Sequence, residues 1–137
     1  MNQEPNAEES FEDPTVTVGQ LRSMVRHFVD ARDWRKFHSP KNLAMALSIE
    51  AAELMEHFQW ITPQASREVT EDAEKLAAVG EEMADVLCYL LAIANELDLD
   101  VASTMKAKMK KNILKYPIEE FRGRYGPEDT GSGDAKP

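Results

Sequence analysis

DAEKLAAVGEEMADVLCYLLAIANEL, residues 72–97, is the longest helical pattern in the chain. Leu76, Val79, Met83, Val86, Leu90, Ile93 and Leu97 alternate at steps of three and four, the apolar seam of a bundle helix. At about 100° per residue, Glu82, Asp85 and Tyr89 gather on one flank of that seam, and Glu81 points roughly the opposite way. Upstream, Ser39 is a candidate N-cap and Pro40 suits the first position of a second helix. Its stripe is Leu43, Leu47, Glu50 and Leu54, closed by Phe58. Glu50 therefore falls on the core side, where a carboxylate is unexpected.

Two more helical patterns flank this pair. One runs from about Val18 to Arg32, with Leu21, Met24, Val25 and Phe28 inward. The other is capped by Asp100 and runs to about Lys115, where Pro117 stops it. Val101, Met105, Met109 and Ile113 form its apolar side, and Lys108, Asn112 and Lys115 form a separate polar stripe. Ile61-Thr62-Pro63 breaks the chain after Trp60, with room for a short helical turn. With no convincing strand and no internal repeat, the expected class is all-α, a four-helix bundle. The polar, Pro-bearing residues 1–14 and the Gly/Pro-rich residues 126–137 read as disordered segments around one domain over 15–125.

The 137 residues suffice for one core, and 42% hydrophobic with 30% charged content fits a soluble globule. A net charge of −9 argues against binding a nucleic acid polymer, although a bound metal ion reverses the sign locally. The single cysteine, Cys88, lies in an apolar run and reads as a buried core thiol. The acidic, polar N-terminus is not a signal peptide and no apolar run spans a membrane, so a cytoplasmic protein is expected.

Glu50-Ala51-Ala52-Glu53 and Glu82-Met83-Ala84-Asp85 each place two carboxylates three residues apart, on one helix face. On facing helices the four anions repel and lose hydration, and so need a counter-charge. Oxygen-only donors point to a hard divalent cation, Mg²⁺ or Mn²⁺. Acid pairs of this spacing are also common on solvated faces, and Glu81 with Asp85 is a competing pair. Trp34, Phe37, His38 and Asn42 read either as a plug over the bundle end or as a base pocket, in which an aromatic face stacks and His and Asn supply edge hydrogen bonds. Trp60 admits the same two readings. Lys108, Asn112 and Lys115, with Tyr116 beside them, read as a solvated face or as phosphate contacts. No Walker-type glycine loop, dinucleotide fingerprint, zinc spacing or G-x-S-x-G is present.

Taken together, these motifs resemble the MazG-like all-α nucleoside triphosphate pyrophosphohydrolases, in their dCTP pyrophosphatase-like branch. The family pattern of E-x-x-E, a spacer and E-x-x-D reads here as Glu50/Glu53, residues 54 to 81, and Glu82/Asp85. Arg32-Asp33-Trp34, Phe37 to Asn42, Phe58-Gln59-Trp60 and the Lys108 to Pro117 segment match as well, so the resemblance covers about residues 18 to 117. It implies hydrolysis between the α- and β-phosphates of a nucleoside triphosphate, dCTP or a modified dCTP, with dUTP or general NTP hydrolysis as the alternative on the same scaffold. It implies Mg²⁺ on Glu50, Glu53, Glu82 and Asp85, with Glu50 or Glu53 taking a proton from the attacking water. Trp34, Phe37, His38, Asn42, Trp60 and Tyr89 match the base and sugar side, and Lys108, Asn112, Lys115 and Tyr116 the phosphate side. Some relatives carry a polar residue in the part of the first helix where this chain has Val25. Relatives are homo-oligomers, often dimers of dimers. The rival class is a non-catalytic helical module whose acids pair across a partner interface.

Overall fold

A computed structural model describes residues 11–124 and 126, and all regular structure among them is helical. The helices are α1 (Val18–Asp30), α2 (Pro40–Glu56), α3 (Pro63–Arg67), α4 (Ala73–Glu96), α5 (Val101–Lys115) and α6 (Ile118–Phe121). Short 3₁₀ turns cover Arg35–Phe37 and Glu68–Glu71. Side-chain caps start the long helices. Thr17 and Gln20 close a capping box on α1, and Ser39, Asp72 and Asp100 each accept a backbone N–H of the helix they precede. Among the described residues no helix is long and apolar enough to cross a membrane.

The chain divides into two compact units at Leu99/Asp100, where the sequence reading spans 15–125 as one domain. The division follows the end of α4, where Asp98 takes a left-handed φ of 50° and the Leu99 N–H reaches back to the Ala94 carbonyl at 2.9 Å. This Schellman-type closure satisfies orphan carbonyls at the end of α4. Residues 11–14, read as part of a disordered lead-in, enter a turn in which the Thr15 N–H donates to the Glu12 carbonyl at 2.9 Å. Residues 1–10 and the tail beyond 126 lie outside the described residues.

In the first unit α4 packs along α2 and, on another side, against α1. The core is Val25 and Val29 of α1, Leu43 of α2, Val69 of the second 3₁₀ turn, and Leu91, Ala92 and Ala94 of α4. This phase differs from the seam read in the sequence. Leu76, Met83, Leu90 and Leu97 are exposed, as are Met24 and Phe28. The buried positions are those where small side chains at Ala92 and Ala94 let α1 approach, and the longer apolar residues fall to the flanks. Asn95 fastens the two helices: its Nδ2 donates to the Arg22 carbonyl at 2.9 Å and its Oδ1 accepts from Arg22 Nε at 3.1 Å.

In the second unit the apolar side of α5 is open, with Met105, Met109 and Ile113 exposed, and Tyr116 meets Phe121 of α6 edge-on at 5.2 Å.

Leu43 is the best-buried large side chain, at 2% exposure, and sits on the same stripe as Glu50. Leu43→Ala is expected to cost about 2–5 kcal/mol of stability, read as a lower denaturation midpoint in urea.

Candidate functional site

The two acid pairs face each other across α2 and α4. One carboxylate oxygen from each of Glu50, Glu53 and Glu82 lies within 4.8 Å of the others, and Glu50 and Glu82 are half-buried. Glu82 Oε2 is buried with no hydrogen-bond partner. Burial, followed by the charges of Glu53, Asp85 and Glu82, raises the Glu50 carboxyl above its ordinary range. Burial likewise raises Glu82, with Glu53 and Asp85 adding to it and His57 partly opposing them. Glu81, the competing partner of Asp85, is exposed and stands apart from the cluster. His57 escaped sequence reading, although it lies four residues past Glu53, one helical turn along the same face.

This donor set fits a hard divalent cation. Carboxylates alone approach one another at ligand-sharing distance, and a desolvated oxygen lacks a proton donor. Without a counter-charge such an arrangement is destabilising.

Beside the cluster, a cavity of about 420 Å³ opens between α1, the turn after it and α4. Trp34, His38 and Tyr89 line it, as does Asp85, which stands outside the close group of three carboxylates but whose charge reaches Glu50 and Glu82. Burial, then Glu50 and Asp85, raises the Tyr89 phenol. Met24 and Phe28, read in the sequence as core, form its apolar wall, together with Val25, which is buried as read. Cys88 also lines this cavity and is exposed, which corrects its reading as a buried core thiol: α4 turns that flank toward the opening rather than into the core. Its thiol is raised by partial burial and by Asp85. A more polar cavity of about 350 Å³ shares Val25, Val29, His38 and Ala92 with the first and is lined further by Arg26, Arg35 and Asn95.

The remaining nominated residues lie elsewhere. Phe37 does not line the larger cavity. Asn42 donates from Nδ2 to the Phe37 carbonyl at 3.1 Å, bracing the turn. Trp60, past the end of α2, is 87% exposed. Lys108, Asn112, Lys115 and Tyr116 sit on and just after α5 in the second unit. There the Lys115 ammonium lies 5.1 Å from the Tyr116 ring centroid.

With this geometry in view, comparison with known proteins gives a consistent picture. A sequence profile of the MazG-like family matches residues 45–125. dCTP pyrophosphatase 1 from Rattus norvegicus is 36% identical over 110 residues, which is 80% of this chain and 65% of that protein. The Homo sapiens protein of the same name is 38% identical over 109 residues, 80% of this chain and 64% of that protein. The chain thus spans just under two thirds of the length of these curated relatives. The crystal structure of a pyrophosphatase from Archaeoglobus fulgidus DSM 4304 superposes with a TM-score of 0.67 at 44% identity, covering 72% of this chain and 91% of that one.

The raised carboxyls set a pH dependence. Glu50 and Glu82 bind protons more readily folded than unfolded, so in the cation-free protein their contribution is most favourable below the ordinary value of 4.5 and worsens as pH rises through the raised values. Cation-free Glu82→Gln is therefore expected to melt above the parent near pH 7, with the gap closing on acidification. Thermal melts across that range check it, and a variant that melts below the parent near pH 7 contradicts it.

Proposed function

The chain belongs to the MazG-like family, and from that premise we propose that it is a Mg²⁺-dependent hydrolase that splits nucleoside triphosphates between the α- and β-phosphates, taking dCTP or a modified dCTP from the cytoplasmic nucleotide pool. The observation that carries this reading is the close group of Glu50, Glu53 and Glu82 oxygens, with the orphaned Oε2 of Glu82, beside an aromatic cavity. Glu50, Glu53, Glu82 and Asp85 would hold the cation, which would supply positive charge for the triphosphate and acidify a water molecule. Glu50 or Glu53 accepts that water's proton. Trp34 stacks on the base, His38 offers its ring nitrogens to the base edge, and Tyr89 lies on the sugar side. On the second unit, Lys108 and Lys115 with Asn112 and Tyr116 suit contact with phosphate.

The exposed apolar residues Met45 and Ile49 on α2 and Met83 and Leu87 on α4 fit a homo-oligomer, a dimer of dimers, better than a free protomer.

The experiment is turnover of a panel of natural and 5-modified triphosphates, with pyrophosphate and orthophosphate measured separately. Pyrophosphate is expected as the product, with dCTP-type bases preferred and no turnover in chelator. Glu50→Gln and Glu82→Gln are each expected to lower kcat by at least about 100-fold while still melting cooperatively. Variants that turn over dCTP as fast as the parent sink the reading in favour of a non-catalytic module. A preference for dUTP, or for no base, moves the substrate and leaves the chemistry.

A further inference from the structure

One cation beside the larger cavity has no part in the chemistry above. The Arg32 guanidinium lies 3.7 Å from the centroid of the Phe28 ring and 6.0 Å from that of Trp34, and its Nη1 donates to the Phe28 carbonyl at 3.1 Å. Both rings line the cavity and Arg32 does not. Among the described residues no carboxylate lies within ion-pair distance of this guanidinium. A free arginine favours water, so its seat on an aromatic face marks the ring contact as the interaction that places it.

The segment that carries Trp34 is built around that contact. Asp33 adopts a left-handed φ of 52° and the Trp34 N–H reaches the Val29 carbonyl at 3.1 Å, folding the chain back over the end of α1. Lys36 pairs with Asp33 at 2.7 Å. Trp34 then meets Phe28 edge-on, centroids 5.8 Å apart, and tilts toward His38 at 6.5 Å. The backbone aims the indole, and Phe28 with Arg32 on its face fixes one side of it. Yet Trp34 itself is 42% exposed and so is not locked by core packing.

We propose that Arg32 is a positioning residue that presets Trp34 for the substrate base by clamping Phe28. The inference rests on the reading of the cavity as the base site. A ring already held in its bound orientation loses less conformational freedom on binding, so the clamp acts on affinity and leaves the hydrolytic step alone.

The test is steady-state kinetics with dCTP in the Mg²⁺-loaded full chain, in a cycle of Arg32→Met, Trp34→Ala and the double variant. Arg32→Met keeps the stem and removes the cation. Its KM is expected to rise roughly two- to thirtyfold, the span of a cation–π contact from exposed to desolvated, with kcat unchanged. In the Trp34→Ala background the same change should add nothing to KM. Arg32→Lys keeps the charge without the planar fork and is expected to recover part of the affinity; it replaces Arg32→Met in the cycle if the latter does not fold. Three results overturn the inference. If Arg32→Met raises KM equally with and without Trp34, the arginine acts on the substrate directly. If Trp34→Ala raises KM and Arg32→Met does not, the clamp is idle and the base site stands. If neither variant changes KM, the base site itself is misplaced and the inference falls with it.

Discussion

One unfavourable fact stands at the centre of the fold: α2 and α4 bring carboxylates together in their own interface. Glu50 and Glu82 are half-buried and one oxygen of Glu82 is left without a donor, so the folded chain carries repulsion that an apolar pair of helices would not. That repulsion is tolerated because the packing around it is fixed independently. Leu43 is buried near the start of α2, and Leu91, Ala92 and Ala94 are buried near the end of α4, which also packs against α1. The Arg22–Asn95 hydrogen bonds hold α1 and α4 in register, well away from the acids. Charge at one place and packing at others is the usual division between a site and its scaffold, in which local cost is offset elsewhere in the fold.

The cavity follows from the same packing. Small side chains at Ala92 and Ala94 let α1 come close only near Val25 and Val29. Met24 and Phe28, on the neighbouring flank of α1, then have no core to enter and become a wall. The turn after α1 supplies the opposite side through Trp34 and His38. An apolar cleft with a few polar groups at its edge is the usual form of a small-molecule site.

Much of this was legible in the sequence, and the exceptions share a cause. Helix existence, the caps at Ser39 and Asp100, and the inward position of Glu50 all follow from local rules of spacing and capping, which tertiary packing did not override. The phase of the α4 seam was not legible. Apolar periodicity marks a face, but which edge of that face is buried depends on where two partner helices approach, and that is set by the size of Ala92 and Ala94. Cys88 was misread for the same reason, since an apolar neighbourhood in sequence lines a cavity as readily as it fills a core. Trp60, in the same segment as Phe58, is 87% exposed past the end of α2, where apolar patterning gives no sign of exposure. His57 carried a signal in its spacing from Glu53 that composition alone hides.

The acid cluster and the aromatic cavity are neighbours through helix geometry rather than through separate loops. Asp85 lies three residues past Glu82 and three and four residues before Cys88 and Tyr89, so one turn of α4, about 5.4 Å of rise, carries the chain from the charged group to the cavity wall. The charge of Asp85 is felt on both sides: it raises Glu50 and Glu82 in one direction and Tyr89 and Cys88 in the other. The acid group and the cavity wall thus meet at one carboxylate on a single helix. Rotation of α4 by a single residue, about 100°, would carry Glu82 and Asp85 away from α2 and Tyr89 away from the opening together. The burial of Leu91, Ala92 and Ala94 and the Arg22–Asn95 hydrogen bonds to α1 hold that rotation. The part of α4 that looks purely structural thereby sets the geometry of both halves of the site.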